Sequence, residues 1–241
     1  MMETGNARAV RWHELPDADA LASALSKRLQ QLSQSAIAER GMARIGLAGG
    51  STPMAAYADF ASFDMSWPQV RLVLIDERYV PLTDSQSNEA NIAGAFSAVK
   101  TRLGVWQGLY QAAGNIVQAA EAADADITRF GLPLDVTVIG MGVDGHIASL
   151  FAESADFEAA MDQANPSAVV PIRFASSEAK TDRLSFSLPA LLKTRHAVFC
   201  ITGADKRAVL ENSLDGSAPH YAAARFLARY PGPVDIFWSP A

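Results

Sequence analysis

Short apolar runs rich in β-branched residues recur along this chain, each followed by a glycine-rich or charged turn. Arg44-Ile45-Gly46-Leu47-Ala48 ends in Gly49-Gly50-Ser51-Thr52-Pro53, and Val70-Arg71-Leu72-Val73-Leu74-Ile75 ends in Asp76-Glu77-Arg78. Asp135-Val136-Thr137-Val138-Ile139 ends in Gly140-Met141-Gly142-Val143-Asp144-Gly145-His146. A strand that is apolar throughout has to be covered on both faces. Strands that alternate with helices meet this condition in a mainly parallel sheet with helices on both sides. The pattern therefore predicts an α/β protein with three α/β/α layers. Ligands of such folds gather beyond the carboxyl ends of the strands, so the three turns should converge.

Helical periodicity fills the spaces between strands. Leu21, Leu25, Leu29, Leu32 and Ala36 recur at spacings of four, four, three and four, which predicts a helix over 17–40 with Asp17 and Asp19 in its first turn. Further helices are expected over 88–99, 115–130, 204–214 and 221–229, and strands over 168–172, 183–187, 196–202 and 234–238. Pro53 suits the first turn of a helix after the Gly49–Thr52 loop. The apolar stretch after His146 is compatible with another helix, whose free N–H groups would face the turn.

The length of 241 residues permits one α/β domain, and no repeat, low-complexity tract or linker divides it, so a single domain over 1–241 is expected. A formal net charge of −6 argues against nucleic acid or an anionic membrane as partner, because either demands a dense positive field. The one cysteine, Cys200, lies in the apolar run Ala197-Val198-Phe199-Cys200-Ile201 and reads as a packing residue. No eighteen apolar residues run together, and the first residues carry Glu3, Arg8 and Arg11 without a signal core. A cytoplasmic protein, monomeric or homodimeric, is the expectation.

The turns carry the chemistry. Gly49, Gly50, Ser51 and Thr52 offer backbone N–H donors and two hydroxyls at a helix start, a cradle for phosphate or a sugar oxygen; the bland alternative is a capped turn. Asp76-Glu77-Arg78 places a guanidinium, suited to bidentate phosphate contact, beside carboxylates that would hold it. Gly140, Gly142 and Gly145 let backbone approach a ligand, and His146 brings a nitrogen that titrates near neutrality. Arg183 opens a strand, and Lys206 sits in a helix's first turn, where it opposes the macrodipole and a bound anion explains it better than local propensity; a surface role is the bland alternative for both. The spacing Gly140-x-Gly142-x-x-Gly145 also satisfies the dinucleotide fingerprint, but the next strand leads into Arg173 instead of an acidic residue, leaving an NADP reader as a minor alternative. His13, His196 and His220 are scattered, so no metal site is expected.

In order along the chain, these segments resemble those of the 6-phosphogluconolactonases, within the glucosamine-6-phosphate isomerase/6-phosphogluconolactonase superfamily. The matching segments are Gly49–Pro53, Asp76-Glu77-Arg78 with Val80-Pro81, Asp84 with Ser87-Asn88, Gly140–Phe151, Arg183 with Leu188-Pro189-Ala190-Leu191-Leu192, and Gly203-x-x-Lys206. The resemblance implies a modified Rossmann-like fold of the sugar-phosphate isomerase type. It also implies no cofactor and hydrolysis of 6-phosphoglucono-δ-lactone, with His146 as base, Asp144 beside it, and Arg78, Arg183 and Lys206 on the phosphate. Ala152 stands where the family commonly has Pro, and Ser185 where Thr is frequent. The deaminase branch shares the Asp-Gly-His turn but continues Ala-Phe-Asn-Glu-Pro; here Ser149-Leu150-Phe151 follows Ala148, without that Glu. A sugar-phosphate sensor without catalysis is the remaining alternative.

Overall fold

The computed structural model describes residues 9–175 and 180–240. The first half of the chain runs β1 (Val10–Glu14), α1 (Ala18–Arg40), β2 (Ala43–Leu47), α2 (Met54–Ser62), β3 (Val70–Leu74), β4 (Asp76–Arg78), α3 (Asn88–Ala95) and β5 (Val105–Gln107). The second half runs α4 (Ile116–Phe130), β6 (Val136–Ile139), α5 (Phe157–Ala160), β7 (Val169–Ile172), β8 (Arg183–Phe186), α6 (Leu188–Leu192), β9 (Ala197–Thr202), α7 (Ala204–Asp215), α8 (Ala222–Arg229) and β10 (Val234–Ser239).

Seven strands form one sheet in the order β1-β10-β9-β6-β2-β3-β5, every pair parallel. Helices flank this sheet, as expected for an α/β fold. From β2 the chain steps outward to β3 and β5; from β6 it steps the other way, through β9 to β10. The reversal falls between neighbours β2 and β6, and a crevice opens beyond their carboxyl ends at such a point. The Gly49–Thr52 and Gly140–His146 turns leave those two strands.

Local signals account for the helices. Asp17 caps α1 by accepting from Ala20 N–H at 2.8 Å, and Gly41 closes it in the left-handed conformation at φ +77°. Its apolar stripe Leu21, Leu25, Leu29 and Ala36 is fully buried. Asn115 caps α4 in the same way.

Four expectations need correction. β4, β8 and β7 leave the main sheet and form a second, antiparallel one. Ile75 is the branch point: its N–H bonds Leu47 of β2 at 3.0 Å, while its carbonyl accepts from Phe186 N–H at 2.8 Å. The helix expected to reach residue 99 ends at Ala95 and passes into turns. β1 and β5, edge strands without a long apolar run, were not expected. Finally, no helix begins at His146. Ala148 adopts φ +49°, a left-handed conformation that stops helical winding, and turns continue to α5. The N–H donors expected from a helix at this turn are therefore absent from it.

Candidate active site

The loop after β2 is held at its start by Tyr57, whose buried hydroxyl donates to Ala48 O at 3.0 Å. Gly49 is required by close approach: a Cβ there would lie 2.1 Å from Asn88 Oδ1. Among the described residues the N–H groups of Gly50, Ser51 and Thr52 have no acceptor, and the two hydroxyls have no partner. They remain available to a ligand.

On the second sheet Arg78 of β4 stands directly opposite Arg183 of β8. Like charges facing each other across a ladder repel. Neither arginine has a carboxylate within salt-bridge distance among the described residues. Arg78 Nη1 donates to Gln86 O at 2.5 Å, its Nε is buried without a partner, and Arg183 Nε donates to Thr181 O at 3.3 Å. Burial, and then the nearby Arg78, holds the Arg183 guanidinium below its usual range. Lys206, in the first turn of α7, likewise makes no ion pair, and no hydrogen bond, among the described residues.

The carboxylates of this segment are occupied elsewhere. Asp76 accepts from Ser149 Oγ at 2.7 Å and Asn88 Nδ2 at 3.3 Å. Glu77, expected as a ligand contact, is fully buried and caps α3. It accepts at 2.7 Å from each of the N–H groups of Arg78, Asn88 and Glu89, and at 3.1 Å from Ser87 Oγ. Burial raises its pKa despite those bonds. Glu77 therefore builds the wall and does not touch the cleft.

The turn after β6 is closed by Gly142 N–H donating to His146 O at 3.0 Å and Gly145 N–H to Gly142 O at 3.1 Å. His146 Nδ1 lies 2.5 Å from Asp144 Oδ1. That hydrogen bond is the main cause drawing the Asp144 carboxyl down from 3.8 to about 2. An ionised carboxylate only accepts, so Nδ1 carries a proton, and in the neutral imidazole Nε2 is then the nitrogen with the lone pair. Nε2 has no partner among the described residues. A Cβ on Gly142 would lie 2.3 Å from Asp144 Oδ1 and from the imidazole, so only glycine allows this pair to fold over the turn. The Phe151 ring stacks on the imidazole at 3.9 Å.

A buried polar chain ties this turn to the second sheet. Ser149 N–H donates to Ser185 Oγ at 3.1 Å while Ser149 Oγ reaches Asp76. The strained Ala148 backbone lies between this anchor and His146, the kind of conformation that surroundings must hold in place.

One cleft of about 230 Å³ gathers most of the expected residues: Gly49, Gly50, Ser51, Thr52, Asp76, Arg78, Gly140, Gly142, His146, Arg183 and Lys206. Glu77, Asp144 and Gly145 lie outside its lining; Asp144 sits behind His146, and Gly145 lies under the Tyr221 ring. Asn88 lines the cleft but was missed as a site residue, although Ser87-Asn88 is among the segments that carry the resemblance. Cys200 also reaches the cleft, with burial pushing its thiol up to about 12. Arg173 is paired with Asp156 at 2.5 Å, away from the cleft. Among the described residues no group of three or more His, Cys, Asp or Glu could hold a metal ion.

The family model for glucosamine-6-phosphate isomerases/6-phosphogluconolactonase matches residues 16–238. The chain is 33% identical over 235 residues to a 6-phosphogluconolactonase of Mesorhizobium japonicum, covering 98% of both proteins. It is 36% identical over 236 residues to one of Pseudomonas putida, covering 96% of this chain and 94% of that protein. A solved 6-phosphogluconolactonase structure from Shewanella baltica superposes with a TM-score of 0.86 at 28% identity, over 98% of this chain and 99% of that one. With the crevice, the Asp-Gly-His turn and the paired arginines in place, the chain belongs to the glucosamine-6-phosphate isomerase/6-phosphogluconolactonase family.

Proposed function

We propose that this protein hydrolyses 6-phospho-D-glucono-1,5-lactone to 6-phosphogluconate, the second step of the oxidative pentose phosphate pathway. The observation that carries the reading is the shared cleft: three cations without carboxylate partners among the described residues line it, together with a histidine whose Nδ1 is engaged and whose Nε2 has no partner among those residues. A phosphate dianion on Arg78, Arg183 and Lys206 removes the repulsion across the β4–β8 ladder. Binding at this remote group fixes the lactone carbon near the base.

A lactone is an activated ester, and water suffices as nucleophile. Nε2 of His146 takes a proton from water as its oxygen attacks C1, producing a tetrahedral oxyanion. The bond from C1 to the ring oxygen then breaks, and Nε2 returns the proton to that oxygen. Asp144 holds Nδ1–H and stabilises the transient imidazolium. The amides of Gly142 and Gly145 are spent within their own turn, and those of Gly50, Ser51 and Thr52 are the donors we assign to the oxyanion. Cys200, a thiol at neutral pH, is unsuited to a covalent route.

The nucleotide reading loses its support, since Arg173 is committed to Asp156. The deaminase reading lacks the Glu that would partner the histidine. A phosphorylated substrate does not cross membranes unaided, so we place the enzyme, as one domain, in the cytoplasm. The test is freshly made lactone, coupled to oxidation of 6-phosphogluconate and corrected for spontaneous opening, beside glucosamine 6-phosphate with ammonia detection. Catalysed opening without ammonia release is expected. Lactone inertness rejects the proposal, and binding without turnover marks a sensor.

A further inference from the structure

We infer that Phe151 is a positioning residue for the reaction: its buried ring fixes the plane of the His146 imidazole and sets its spacing from Arg183. The inference rests on the reading of His146 as the base. Asp144 cannot supply this restraint, because it belongs to the same turn, two residues away, and its side chain is 51% exposed. Held only by Asp144, the two side chains could swing together over the cleft.

Phe151 is only 4% exposed, and its ring lies 3.9 Å from the imidazole with 30° between planes. The edge-to-face contact with Phe174 at 5.4 Å holds it from another side. Arg183 Cζ lies 5.3 Å and Lys180 Nζ 4.6 Å from the same ring. One apolar plane thus touches the proposed base and one proposed phosphate cation. The backbone beneath it is fixed as well: Phe151 N–H donates to Ser149 O at 3.1 Å, and Ser149 is anchored on Asp76. An aromatic hydrocarbon suits this position because it supplies a flat face to imidazole and guanidinium without a polar atom that would compete for the base.

Leucine fills part of the volume without the flat face, so Phe151→Leu frees the imidazole to rotate. Misplacing a catalytic group by about 1 Å costs on the order of 100-fold in rate. The expected result is a kcat lowered roughly 30- to 100-fold with KM changed less than about threefold, in protein whose circular dichroism matches the parent. Phe151→Met, also without a flat face, serves if the leucine variant does not accumulate folded. A structural role is separated by a cycle: in a His146→Ala background Phe151→Leu should add no further loss, because the residue acts through the histidine. A kcat within threefold of the parent, or an equal further loss in the His146→Ala background, overturns the inference. Near-parental turnover of His146→Ala alone would instead overturn the base assignment, so the two failures are distinguishable.

Discussion

Replacing Asp144 separates charge from orientation at the proposed base. A carboxyl drawn from 3.8 to about 2 corresponds to about 2.4 kcal/mol of interaction, at about 1.4 kcal/mol per tenfold. Half of the side chain is open to water, 51% by area, and screening reduces this to about 1 kcal/mol. Asp144→Asn can keep an oxygen toward Nδ1–H and toward His146 N–H, which Asp144 Oδ1 now meets at 2.5 and 3.4 Å. It loses only charge, so kcat should fall about fivefold. Asp144→Ala also loses the hydrogen bonds, roughly 1.5–3 kcal/mol for a charged acceptor, so kcat should fall on the order of 50-fold. KM should change little in either, since the carboxylate lies behind the cleft. The folded pKa is depressed, so the contribution to stability is complete above 3.8 and is lost as pH falls through about 2. Parent and Asp144→Asn should therefore converge in urea stability at the acid end of that window. Steady-state kinetics with fresh lactone decide the matter: an asparagine variant as damaged as the alanine variant, or an alanine variant within twofold of the parent, refutes the reasoning.

Arg78→Met and Arg183→Met should each raise KM on the order of 100-fold with kcat within a few-fold, while the unliganded protein melts no lower than the parent because a repulsive pair across the ladder is gone. Unchanged KM with a lowered melting temperature would reverse that assignment. Glu77→Ala should cost about 3 kcal/mol in urea unfolding, because buried N–H groups at the start of α3 lose their acceptor, with KM unaltered in the folded fraction; a KM effect without loss of stability would return Glu77 to the ligand. Gly142→Ala should lower kcat by at least about 100-fold in folded protein, since the imidazole must move to admit the methyl group. Turnover near the parental value would show that the pair need not lie over the turn.

The parallel core was legible because its strands are apolar on both faces: Leu72, Val73 and Leu74, and Val136 through Ile139, are buried, and no other environment suits such runs. Edge strands carry no such signature. β1 reads Val-Arg-Trp-His-Glu with burial only partial, and β5 is three residues long. The second sheet was illegible for a different reason. β7 and β8 have ordinary strand composition, and what assigns them to a separate sheet is Ile75, whose two backbone groups bond in different directions. Nothing in an isoleucine at the end of an apolar run announces that. The turn after His146 failed because Ala148 has high helix propensity, yet the anchoring of Ser149 by Asp76 and Ser185 holds a left-handed backbone beside it. Tertiary hydrogen bonds overrode local preference.

Residue type singled out candidates that the fold gathers in one cleft, and misled where the direction of a side chain decides. His146, Arg78, Arg183 and Lys206 reach one cleft because each leaves the fold near a strand end or a helix start. Asp76-Glu77-Arg78 looked like one charged unit, but alternate residues of a strand face opposite ways. On β4, Asp76 and Arg78 therefore face the cleft, while Glu77 turns inward to cap α3. The expected carboxylate clamp on Arg78 fails for the same reason: Asp76 is committed to Ser149 and Asn88, and Glu77 to amides and a hydroxyl. Among the described residues Arg78 is left without an acidic partner, which suits it to an anionic ligand.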